Sequence, residues 1–158
     1  MSSVKSRNTL QDTVNTAVKN FCQDMTFIID VVYGKNKKDN LLIDVRDKFV
    51  VIRKENPNGI VEVAGPYIWK YREQIKNKDA NFFLHNTFEN DIINSQGGVA
   101  EITPIDDITV ILNKCKLTWH TFQKIEQDTI MKHVQNLLRS YATYVSATKE
   151  IAKIDNKE

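Results

Sequence analysis

The residues of this chain that could do chemistry are three histidines, two cysteines and a handful of close carboxylates. His85, His120 and His133 do not pair with one another or with a cysteine at a spacing of three or four, the step that puts two ligands on one helix face. Cys115 and His120 stand five apart, which points them to different faces, and a zinc site needs four clustered donors. Cys22 and Cys115 each fall inside an apolar stripe, where burial raises the thiol pKa and blocks access, so neither suits a nucleophile. Asp106–Asp107 reads as helix-capping acid, and Glu89–Asp91 as a solvated loop. Gly97-Gly98 is followed by Val99-Ala100-Glu101 rather than by the Lys and Ser or Thr of a phosphate cradle. These residues predict no catalytic group, no cofactor, no metal and no enzyme.

Binding chemistry is better represented. Lys35, Lys37 and Lys38 form one basic loop, and Lys70, Arg72, Lys76 and Lys78 a second stretch; together they form a basic patch if the two meet. Tyr67, Trp69 and Tyr71 interleave aromatic rings with that charge, a combination that grips single nucleic-acid strands. Trp69 lies one step off the apolar face of Ile68, Tyr71 and Ile75. An exposed Trp beside Tyr67 and Lys70 would anchor a partner; the competing reading is a Trp that fills a helix break at Gly65-Pro66.

The elements that must position these residues read as helices throughout. The chain has 158 residues, 41% hydrophobic and 27% charged, with a formal net charge of +2. That balance suits a single domain and gives no whole-chain pull toward nucleic acid or anionic membrane. Two cysteines without a framework suit a reducing, intracellular setting. The start Met1-Ser2-Ser3-Val4-Lys5 lacks an apolar leader core, Ser2 excludes the myristoylation pattern, and no window is apolar enough to span a membrane.

Residues 1–8 read as a flexible tail, 9–154 as the helical domain and 155–158 as a frayed end. A first helix is expected from Asn8 or Thr9, with the stripe Val14, Val18, Phe21, Met25, Ile28 and Val32, widened by Leu10, Cys22 and Ile29. Gly34 is its expected left-handed terminator. Asp39 or Asn40 caps a second helix with Leu41, Leu42, Val45, Phe49 and Ile52 on one side, ending at the turn Asn56-Pro57-Asn58-Gly59. The β-branched run Val50, Val51 and Ile52 invites a strand, but its flanks do not alternate. Residues 60–76 read as helical with a break at Gly65 and a new helix from Pro66. Phe82, Phe83 and Leu84 read as a plug on the core.

The longest pattern runs from Thr103 to Ile154. Thr103 and Pro104 open a helix with Ile105, Ile108, Leu112, Cys115, Trp119 and Phe122 on one face. The apolar phase then slips by about one residue between Thr121 and Gln127 and resumes at Ile130, Val134, Leu137, Tyr141 and Val145. The slip predicts a tight turn and a second long helix rather than one helix of roughly fifty residues. Trp119 is expected near the centre of the core.

Laid out this way, the chain resembles a family of small helical proteins of giant double-stranded DNA viruses. The matching pieces are Asn56-Pro57, Pro66-Tyr67 with Tyr71 and Ile75, Asn77-Lys78-Asp79 leading into Phe82-Phe83-Leu84, and Trp119 with Phe122 before a closing helix holding Ile130, Leu137 and Leu138. The likeness covers roughly residues 17–150 and departs from the pattern at 85–102 and at Lys35–Lys38. It is a pattern of apolar and turn residues, implies no catalytic residue, and implies a viral setting, in the host cell or the virion.

The expected architecture is an all-α, single-domain bundle of about five helices with a C-terminal helical hairpin. The expected function is a non-catalytic interaction or structural protein with a protein partner, a virion component or host-directed adaptor. The alternative is a nucleic-acid-associated accessory protein using the basic loops.

Overall fold

The computed structural model describes residues 3–85 and 113–156, with side chains from Arg7 to Leu84 and from Asn113 onward. The fold is an all-α bundle, and no strand occurs among the described residues. Its elements are α1 (Ser3–Gly34), α2 (Asn40–Glu55), α3 (Pro57–Lys70), α4 (Arg72–Lys76), α5 (Ala80–His85), α6 (residues 113–118), a 3₁₀ turn (Trp119–Thr121) and α7 (Lys124–Asn156).

The frame is the antiparallel pair α1 and α7. Between Ser3 and Gly34 no Gly or Pro interrupts the chain, and one face buries Val14, Val18, Phe21, Cys22, Met25, Ile29 and Val32. α7 answers with Ile130, Met131, Leu137, Leu138 and Ala147. Arg7–Asp155 at 2.9 Å and Asp24–His133 at 2.8 Å join the two helices, and Lys35, just past the end of α1, pairs with Glu126 of α7 at 3.2 Å. Among the described residues the core has two centres. One gathers Phe21, Cys22, Val61, Ala64 and Leu137 between α1, α3 and α7. The other gathers Ile29, Val32, Leu42, Val45, Phe122 and Ile130 at the hairpin end.

Local chemistry fixes the shorter elements. The Asp39 carboxylate accepts the Leu42 N–H at 3.0 Å and caps α2, satisfying one of the orphan donors of a helix start. Asn56 serves two helices at once. Its N–H donates to the Ile52 carbonyl at the end of α2, and its side-chain oxygen accepts the Gly59 N–H at the start of α3. Pro57 then occupies the first position of α3, where a missing N–H is harmless.

Several expectations require correction. The first helix begins at Ser3, ahead of Asn8. Gly34 is its last helical residue and does not take a positive φ. α3 runs straight through Gly65-Pro66, and the interruption falls at Tyr71, where φ is −103° and ψ 24°. Hydrogen bonds cross even that residue, from Tyr71 N–H to Tyr67 and from Ile75 N–H to Tyr71. Gly65 is small for a tertiary reason: a Cβ there would overlap the ring of Tyr141 on α7. Phe82, Phe83 and Leu84 are half-buried rather than a buried plug, and Phe82 and Phe83 pack beside Tyr71.

The break between α6 and α7 falls at Trp119–Gln123, overlapping the predicted Thr121–Gln127 turn. The Gln123 N–H donates to Glu126 Oε1 at 2.8 Å, half of a capping box at the start of α7. The side chain of Gln127 reaches back to the Trp119 carbonyl at 3.0 Å. Phe122, not Trp119, is the buried ring here; Trp119 is half-buried and meets it edge-on. The part of the predicted hairpin from Thr103 to Leu112 lies outside the described residues.

Candidate interaction surface

Trp69 sits in the last turn of α3 with 46% of its surface exposed. The break at Pro66 that would have received it does not exist, so the indole stays on the outside. Arg72, one turn on, lays its guanidinium over the ring at 4.7 Å and donates from Nη1 to the Trp69 carbonyl at 3.0 Å. A stacked cation of this kind contributes about 0.5–1 kcal/mol at an exposed site. Lys70 stands over Tyr71 at 5.4 Å, and Tyr71 packs against Phe82 and Phe83. Tyr67 is half-buried.

The two basic stretches do not merge. Lys35 pairs with Glu126 and lies over the Phe122 ring at 5.9 Å, so it tethers the hairpin end. Lys37 and Lys38 are exposed beside it. Lys76 lies at the far end of α4, where Gln135 of α7 donates to the Ile75 and Lys76 carbonyls. Glu126 and Gln135 are separated by nine residues of α7, about 13 Å along its axis. Lys76 approaches Glu73 at 3.9 Å. Lys78 holds φ at 53°, the left-handed position that ends α4, and Asp79 N–H closes that end onto the Gln74 carbonyl.

Sequence reasoning missed two cations that belong to this surface. Lys132 and Arg139 flank Gln135 at three and four residues, so all three lie on neighbouring positions of α7. Both are exposed, and among the described residues neither is within ion-pair distance of a carboxylate. The available signal was the run from Thr129 to Lys149, which contains no Asp or Glu.

Sequence reasoning also missed the Asp24–His133 pair. His133 Nδ1 lies 2.8 Å from Asp24 Oδ1, its ring stacks on Phe27 at 4.8 Å, and Asn136 adds a longer contact to the same oxygen. The pair borders an open groove of about 750 Å³ between α1 and α7, lined by Asp12, Thr16, Asn20, Asn136, Arg139 and Ser140 among others. An acid–base pair acts in acyl transfer only with a nucleophile in hydrogen-bond reach. Ser140 is seven residues along α7 from His133, about 10 Å away in helical rise, and the pair joins α1 to α7.

The remaining candidates fall apart spatially. Burial pushes the Cys22 thiol up to about 11, partly offset by Arg53, and the Cys115 thiol up to about 12. Both are unpaired in disulfides. His120 is exposed. Among the described residues no group of three or more His, Cys, Asp or Glu could hold a metal ion, and no helix is long and apolar enough to cross a membrane. The side chain of His85, with Glu89–Asp91, Gly97-Gly98 and Asp106–Asp107, lies outside the described residues.

No family model matches the chain, and no curated protein or solved structure matches it either. The resemblance to giant-virus proteins therefore stands on the quoted residues alone.

Proposed function

We propose that this protein is a non-catalytic interaction module that engages a macromolecular partner through the face centred on Trp69. The observation that carries the reading is the exposed indole clamped under Arg72. Trp and Arg are the residue types most enriched among energetic anchors of interfaces. Here the ring is held in one orientation before any partner arrives, which reduces the ordering cost of binding. In the setting implied by the resemblance, the module is a virion component or an adaptor inside the infected host cell.

A photo-crosslinking amino acid at position 69, introduced into the full chain in the cells that produce it, tests the reading. Leu117 and Ile125, 68% and 70% exposed at the hairpin end, supply control positions. A discrete adduct from position 69 and none from the controls supports the module. Equal adducts from all three positions, or none from position 69, overturn it.

A further inference from the structure

We infer that the surface formed by Trp69, the end of α4 and the outward ridge of α7 binds single-stranded nucleic acid. This names the partner class of the module proposed above and rests on the reading of Trp69 as its anchor.

Charge comes first. Lys132 and Arg139 on α7 and Arg72 on α4 have no carboxylate partner among the described residues, while Lys76 has only the long contact to Glu73. Gln135 fastens the end of α4 to α7 between Lys132 and Arg139, which brings Lys76 beside that ridge, and Arg139 also lines the groove between α1 and α7. Of the nearby acids, Asp12 lines the same groove as Arg139 and Glu73 stands 3.9 Å from Lys76, while two others have partners. Asp79 accepts the Phe82 N–H, and Asp24 is held by His133 and Asn136. Lys78 adds a cation in a left-handed conformation that glycine adopts at lower cost.

Shape decides between strand and peptide. Lys70 follows the ring in sequence and Arg72 lies one turn on, both cations, and Tyr71, Phe82 and Phe83 pack on one another. Trp69 thus offers a partner a π face beside positive charge, with an arginine plane already stacked on it. Unpaired bases stack on such a face, whereas an acidic peptide would engage the cations alone. Duplex bases present no free face to the indole.

Fluorescence anisotropy of the full chain with a labelled single-stranded RNA of about 20 nucleotides tests the inference. Binding is expected at 50 mM salt and weakens toward 200 mM, with a log–log slope of about −0.7 per phosphate contacted. The double variant Lys132→Gln/Arg139→Gln should bind more weakly and reduce that slope by about 1.4, with unchanged thermal unfolding because both side chains are exposed. Trp69→Ala should weaken binding by about tenfold and Trp69→Phe should restore most of it. A Lys37→Gln/Lys38→Gln variant should bind as the parent does.

Four results would overturn the inference: no binding at 50 mM salt, equal affinity for duplex and single strand, displacement by polyglutamate at matched charge, or loss of binding only in the Lys37/Lys38 variant. An absent strand affinity with a retained crosslink at position 69 removes the nucleic acid and leaves the module. An absent crosslink removes both.

Discussion

Gly65 of α3 lies directly against the ring of Tyr141 on α7, with no space between them for a methyl group. Glycine is ordinarily unfavourable in a helix, by about 1 kcal/mol relative to alanine. Here close approach outweighs propensity. Gly65→Ala should therefore destabilise the fold by about 1–3 kcal/mol, read as a lower urea midpoint. In a Tyr141→Ala background the same change should be neutral or stabilising. Equal effects in both backgrounds would show that the ring is not the obstacle.

The Asp24–His133 contact buries most of both side chains, which are 14% and 18% exposed. Replacing His133 with Ala leaves Asp24 only the longer Asn136 contact and removes the ring stacked on Phe27. A half-buried acid deprived of its partner costs about 1–3 kcal/mol. A double-mutant cycle with Asp24→Asn should give a coupling energy above about 0.5 kcal/mol. Additive single effects would mean that the two groups merely sit side by side.

Acid should weaken the hairpin end first. The hydrogen bond from Lys114 and then the Leu42 N–H hold the Asp39 carboxyl below its ordinary value, and the Gln123 N–H followed by Lys35 does the same for Glu126. A folded-state pKa below the unfolded one contributes stability above the unfolded value, about 4 for these groups, and loses it as pH falls through the folded value. Chemical denaturation between pH 7 and pH 3 should show stability falling below about pH 4. An Asp39→Asn/Glu126→Gln variant should begin less stable at neutral pH and show a shallower acid decline. An identical decline in parent and variant would assign the effect to other carboxylates.

Thiol reactivity should report global unfolding. With pKa values near 11 and 12, Cys22 and Cys115 carry little thiolate at pH 8. A disulfide reagent should label the native protein slowly and both cysteines at once in guanidinium. Rapid labelling of Cys115 in the native state would mean that α6 opens locally.

The sequence was most legible where the signal is local. The three-and-four spacing of Val14, Val18, Phe21 and Met25 marks the inward face of α1, and Asp39 caps α2 within three residues of its donor. The turn before α7 was legible without Gly or Pro because a phase slip is itself a local pattern. Gly65-Pro66 misled for the converse reason. Its local meaning is a break, but the position is governed by Tyr141, 76 residues away (141 − 65). Of the two readings of Trp69, the one that fills a break falls with the break, and the exposed one remains because the helix continues. Asp24 and His133, 109 residues apart, leave no trace in either neighbourhood. Lys35 looks like half of a basic loop until Glu126 arrives beside it.

The pairing of α1 with α7 also has a consequence for synthesis on the ribosome. Some ninety residues separate Gly34 from Lys124, so α1 emerges long before the helix that covers its apolar stripe exists. Contacts between distant parts of a chain slow folding, and an exposed amphipathic helix invites association in the interval. Nascent chains halted before Lys124 should therefore recruit chaperones through Phe21, Ile29 and Val32, and release them once α7 clears the exit tunnel.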